Sequence, residues 1–75
     1  MTPRLSRVSG KDVLKALLRS NFSLVDIEGS HHTLISPAGK LVTVPVHGKK
    51  ILKPRSLKSI LDQADLSVEQ LIDLL

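Results

Sequence analysis

Leu57, Ile60, Leu61 and Ala64 fall at i, i+3, i+4 and i+7, the strongest helical stripe in the sequence. A helix with one apolar face is stable only when that face is covered, so the rest of the chain must supply a surface for it. Pro54 suits the first turn of this helix, and Asp65 ends it. The supply is small. A chain of 75 residues hides only about 60% of its unfolded surface, which makes one domain with a thin core. There is no cysteine, so neither a disulfide framework nor a Cys-based zinc site can brace it.

The segments ahead of that helix read as one more helix and three strands. Ser9 with Asp12 forms a capping-box pattern, and Val8 with Val13 a hydrophobic staple across it. Val13, Leu14, Leu17 and Leu18 continue as an apolar stripe, with Lys11, Lys15 and Arg19 outside it, which predicts a helix over 10–20. Strand-like runs follow at 22–28, 31–36 and 40–46, separated by Gly29-Ser30 and by Pro37-Ala38-Gly39. Pro45 lies near the end of the third run, where proline is tolerated. Such short connections imply an antiparallel meander. His47-Gly48-Lys49-Lys50 is a loop. After Asp65, Ser67 with Gln70 makes a second capping box, Leu66 with Leu71 a second staple, and Val68, Leu71, Ile72 and Leu75 a short third stripe. The expectation is an α+β fold in the order α-β-β-β-α with an extra short C-terminal helix. Its three-stranded antiparallel sheet has helices on one face and the other face open. Residues 1–8 read as a flexible basic lead-in and 9–75 as a single domain.

The formal net charge is +4, and its distribution is uneven. Residues 1–20 carry Arg4, Arg7, Lys11, Lys15 and Arg19 against Asp12. Residues 36–58 carry Lys40, Lys49, Lys50, Lys53, Arg55 and Lys58 with no acid, whereas 59–75 carry Asp62, Asp65, Glu69 and Asp73 with no base. A basic middle favours an anionic partner such as nucleic acid over a merely solvated face. Phe22 is the sole aromatic residue, which excludes single-strand readers that stack bases on several exposed rings. RNA would be held through phosphate charge and shape. No apolar run approaches the roughly 18 residues of a membrane span, and the N-terminus lacks a signal-peptide core, so a cytoplasmic protein is expected.

Few side chains here can do chemistry at neutral pH. Asp12 is accounted for by capping and the C-terminal acids by outer helix faces, which leaves no paired-carboxylate site. His31 and His32 are adjacent on a strand and therefore point to opposite faces, so they cannot chelate one metal together. With Leu34 in the core, His32 shares its side, while His31, Thr33 and Ile35 share the open face. A lone strand histidine ordinarily serves packing. Here Gly29 and Ser30 directly precede it and a basic segment follows. Imidazole exchanges a proton near cellular pH, and RNA brings its own nucleophile in the 2′-hydroxyl. One positioned acid or base with cationic support then suffices, without metal or cofactor.

Several elements occur in a recognisable succession: Ser9-Gly10-Lys11-Asp12-Val13, Gly29-Ser30-His31-His32, Pro37-Ala38-Gly39-Lys40, Val42-Thr43-Val44-Pro45-Val46-His47, and 57–67. Each is weak alone; together, in this order and spacing over about residues 9–75, the chain resembles the HicA (YcfA-like) mRNA interferase toxins of toxin–antitoxin modules. That resemblance implies a double-stranded-RNA-binding-like fold, ribosome-independent mRNA cleavage and neutralisation by a HicB-type antitoxin. It places the catalytic histidine at His31, the matching glycine at Gly29 beside Ser30, and a supporting role at His47. Lys49, Lys50 and Lys53 are candidate phosphate contacts. Two positions depart from the family pattern: Arg55-Ser56 stands where Gly-Thr is frequent, and Asp65 where glycine is usual. Arg55 adds a cation at a helix start, where the helix dipole disfavours it. Asp tolerates the left-handed backbone better than most residues.

The leading rival is a non-catalytic double-stranded-RNA-binding module. A helix-turn-helix DNA binder is disfavoured by the acidic last helix, which would have to enter a strongly negative groove. An inert protein–protein adaptor fits poorly with so basic a middle.

Overall fold

The computed structural model describes residues 8–75; of the expected lead-in only Val8 falls inside it, and residues 1–7 lie outside the described residues. The elements are α1 (Gly10–Arg19), β1 (Ser23–Glu28), β2 (His31–Ile35), β3 (Leu41–Pro45), α2 (Pro54–Ala64) and α3 (Val68–Leu74). This is the expected α+β class and the expected α-β-β-β-α order with a further helix after it. Among the described residues no helix is long and apolar enough to cross a membrane.

The start of α1 is fixed as its sequence requires. The Ser9 hydroxyl accepts the Asp12 N–H at 3.1 Å, and the Asp12 carboxylate accepts the Ser9 N–H at 3.2 Å. Val8 and Val13, the staple pair, are both buried. The buried face of the helix is Val13, Ala16 and Leu17, with Leu14 half-buried and Leu18 44% exposed. The expected stripe is thus rotated by part of a turn: Ala16, small enough to let α1 approach closely, takes the place expected for Leu18. Asn21 then adopts a left-handed backbone, φ 66°. The Phe22 N–H reaches back to the Leu17 carbonyl at 3.1 Å, the Schellman pattern that stops a helix, and Phe22 turns into the core.

The sheet is an antiparallel meander in the order β1-β2-β3. Opposite residues pair His32 with Val44 and Leu34 with Val42; Leu34, Val42 and Val44 are fully buried under the helices. His31, Thr33 and Ile35 pair with Pro45, Thr43 and Leu41 on the open face. α1 and α2 both pack on β3, and α3 packs on α1. Gln63 of α2 accepts the Thr43 N–H at 3.2 Å, so α2 also closes the outer edge of β3. At the other edge β1 is exposed along its whole length, with a bulge between Leu24 and Asp26.

All four residues of the strong stripe, Leu57, Ile60, Leu61 and Ala64, are buried. α2 ends at Asp65 in the left-handed conformation, φ 55°, and the Leu66 N–H returns to the Leu61 carbonyl at 3.0 Å. The Asp65 carboxylate meets the Lys40 ammonium from the β2–β3 turn. α3 begins with the second capping box, Ser67 with Gln70, and anchors through the fully buried Leu71. Arg19, in the last turn of α1, donates to the Leu74 and Leu75 carbonyls at 2.8 and 3.2 Å, where a cation complements the end of α3.

One corner of the molecule is knotted tightly. A Cβ on Gly10 would lie 1.9 Å from the Pro45 carbonyl oxygen, so the start of α1 sits directly on the end of β3. The chain then returns to hold the same place: Leu52 N–H donates to the Val8 carbonyl at 2.8 Å, and Ser9 bridges to Ile51.

Candidate functional site

Gly29 and Ser30 form a two-residue loop between the paired residues Glu28 and His31. Gly29 has φ 60°, and Ser30 is not among the residues with positive φ. A left-handed first residue of this kind belongs to type II′ hairpins, whose twist matches that of the strands. The Ser30 carbonyl accepts the Val46 N–H at 2.7 Å, which ties the hairpin to the chain leaving β3. It also accepts from the His32 ring: a carbonyl can only accept, so His32 Nδ1, 3.3 Å away, carries the proton in this contact. His32 is half-buried on the helix face, so it braces the hairpin.

His31 is exposed on the open face, as strand alternation predicts. Among the described residues nothing hydrogen-bonds its ring or the Ser30 hydroxyl. His31 therefore stands at the end of a rigid hairpin with a ring free to meet a ligand. The sheet gives it two cross-strand neighbours, Glu28 on β1 and Pro45 on β3, at a Cα separation of about 5 Å in antiparallel pairs. Sequence reasoning overlooked Glu28 as a neighbour of His31. The signal was present, because a two-residue hairpin pairs the residues that flank it. Glu28 and His31 share the open face, but no ion pair forms between them.

Beyond Pro45 lies a cavity of about 230 Å³, lined by Pro45, His47, Lys50, Ile51, Leu52, Lys53 and Ser56. Three of the sequence-predicted residues, His47, Lys50 and Lys53, are thus gathered around one space, and Pro45 connects it to His31. Lys49 is exposed in the same loop but is not part of the lining. Gly29, Ser30 and His31 lie outside the cavity; Gly29 and Ser30 contribute hairpin geometry. Ser56 was overlooked as a site residue. It occupies the third position of α2, a helix that starts at Pro54 with no side-chain cap from Lys53.

The open face carries acids on its β1 side, Asp26 and Glu28, whereas the cations Lys49, Lys50, Lys53 and Arg55 follow β3 in the chain, in the loop and at the start of α2. Among the described residues the only ion pair is Lys40 with Asp65, so the cations around the cavity have no carboxylate partner. An anion approaching His31 is repelled from β1 and drawn toward β3 and α2. Among the described residues no three His, Asp or Glu side chains gather as a metal-binding group.

The fold and site together define a small basic α+β domain with two exposed histidines, His31 and His47, whose rings have no hydrogen-bond partner among the described residues; His47 lines a cationic hollow next to the cross-strand partner of His31. A family model described as HicA toxin of bacterial toxin–antitoxin matches residues 10–66. The chain belongs to the HicA toxin family. The match runs from the start of α1 to just past α2. No curated protein matches the chain.

Proposed function

We propose that this HicA-family protein is a metal-independent endoribonuclease that cleaves mRNA in the cytoplasm, and that a HicB-type antitoxin neutralises it. The observation that carries the reading is His31: an exposed imidazole held by a two-residue hairpin, with, among the described residues, no hydrogen bond to its ring and no carboxylate paired with the cations that follow β3.

In this reading His31 takes the proton from an RNA 2′-hydroxyl as its oxygen attacks the adjacent phosphorus. The new O2′–P bond forms as the P–O5′ bond breaks, leaving a 2′,3′-cyclic phosphate on one fragment. The departing O5′ receives a proton from water or from the protonated ring, giving a 5′-hydroxyl. General acid–base assistance of this kind contributes about 10²–10⁴-fold. Lys49, Lys50 and Lys53 balance phosphate charge, and His47 has a supporting place beside them. Gly29 and Ser30 set the direction in which His31 projects.

The test is induced expression of wild type beside His31→Ala, each with and without a co-expressed HicB-type antitoxin. Wild type should arrest growth, the variant should not, and the antitoxin should relieve the arrest. Equal arrest by both proteins would overturn the role of His31. A wild type that is harmless without antitoxin would overturn the toxin activity. RNA binding by both proteins with no cleavage at any protein excess would make this a non-catalytic double-stranded-RNA-binding module.

A further inference from the structure

The cavity beyond Pro45 has a lining that selects one kind of ligand. The residues around it with polar side chains are Lys50, Lys53, His47 and Ser56. The side chains thus offer donors, with no carboxylate among the described lining residues. Pro45, Ile51 and Leu52 form the remaining wall, an apolar backing that strengthens charge interactions at its surface. The volume, about 230 Å³, falls below the roughly 300–1,000 Å³ typical of drug-sized ligand pockets. The lining has no Phe, Tyr or Trp, and its one ring is the His47 imidazole. A space with two lysines and no carboxylate in its lining fits a compact tetrahedral oxyanion.

Position then gives that anion a context. Pro45 lines the cavity and is the cross-strand partner of His31, while the Val46 N–H is bonded to the Ser30 carbonyl. The cavity and the histidine are therefore neighbours on one rigid hairpin-to-strand junction. The acids of β1 lie on the far side of His31.

We infer that this cavity is a subsite for a second phosphate of the RNA, the one next to the phosphate attacked at His31. The inference rests on the proposed ribonuclease reading for its substrate. It adds that recognition requires at least two consecutive phosphates and that the second is gripped by Lys50, Lys53, His47 and Ser56. Lys49 lies outside the grip.

Binding of uncleavable RNA tests this without relying on catalysis. The probes are 2′-O-methyl dinucleotides, with one phosphate, 2′-O-methyl trinucleotides, with two, and inorganic phosphate. They are titrated into the isotope-labelled full chain and followed through backbone amide resonances. The trinucleotide should bind at least about tenfold more tightly, as one charge-assisted contact set provides, and should shift the amides of residues 50–56. Lys50→Gln with Lys53→Gln should remove that gain. Lys15→Gln with Lys58→Gln, which changes the net charge equally on exposed helix positions, should retain it. Equal affinity for the two oligonucleotides, or equal losses in both double variants, would overturn the subsite. Inorganic phosphate binding there as tightly as the trinucleotide would show a free-anion site and overturn its assignment to RNA. A parallel incubation with the corresponding 2′-hydroxyl trinucleotide keeps the two proposals separate: absence of cleavage there counts against the ribonuclease reading, whereas the binding difference alone decides the subsite.

Discussion

His31 and His32 are adjacent in sequence, and the strand sends them to different tasks. His31 has an exposed ring and no hydrogen-bond partner among the described residues, whereas His32 is half-buried and bonded to the Ser30 carbonyl. Replacing His32 by alanine should therefore cost about 1–2 kcal/mol of stability. That is a fall of about 4–15 °C in melting temperature for a domain this small, read by thermal denaturation. Activity measured well below that temperature should persist in His32→Ala. The reverse pattern, a stable but inactive His32→Ala, would reassign the chemistry to the helix face. Strand alternation alone made this division legible, because a period of two needs only one anchored residue, and Leu34 provided it. Glu28 was legible by similar reasoning, since runs that end at 28 and restart at 31 leave a two-residue loop that pairs Glu28 with His31. Gly10 shows a limit. Nothing in the sequence reveals that the Pro45 carbonyl fills the space where its Cβ would be. Gly10→Ala must push two backbone segments apart, and a loss of about 1–3 kcal/mol is expected in the same melting experiment.

At the level of elements, capping chemistry was the most readable feature and helix rotation the least. Both capping boxes form as their residues dictate, because each depends on contacts only three residues apart. Ser9→Ala should cost about 1 kcal/mol, measured by chemical denaturation. In α1, by contrast, Leu14 and Leu18 were as apolar as Val13 and Leu17, and only the approach to β3 and α3 decided which side turned inward. The end of α2 joins both lessons. Asp65 is left-handed, as its place after Ala64 suggests, yet its ion pair with Lys40 comes from a turn 25 residues away. The pair is solvent-exposed and contributes little, about 0–1 kcal/mol, while glycine adopts the left-handed backbone without steric cost. Asp65→Gly should therefore leave stability within about 1 kcal/mol of wild type. Asp65→Val, forced to positive φ with a branched side chain, should lose more than that. A large loss in Asp65→Gly would mean that the Lys40 contact matters more than its exposure suggests.

Among the described residues, the helices stack on β3 and α1 while β1 and the open face stay uncovered, so a thin core coexists with a large accessible surface. Charge is unevenly spread over the elements: acids lie on β1 and in α3, and cations in α1, in the loop after β3 and at the start of α2. Binding of single-stranded RNA should weaken steeply with salt, and Lys50→Gln with Lys53→Gln should reduce the slope of log affinity against log salt by about 1 to 1.5. The basic middle of the chain made a concentration of cations after β3 legible. The cavity was not, because Pro45, His47, Lys53 and Ser56 meet only through the fold of the 46–53 segment back onto Val8 and Ser9. The central claim, that an imidazole on this face cleaves RNA without metal, is tested most directly by one measurement. Purified wild type and His31→Ala are incubated with a defined RNA in the presence of EDTA, and the new ends are analysed. The account predicts fragments ending in 2′,3′-cyclic phosphate and 5′-hydroxyl from the wild type, and a rate at least about 100-fold lower from the variant. Undiminished cleavage by His31→Ala, or products ending in 3′-hydroxyl and 5′-phosphate, would contradict it.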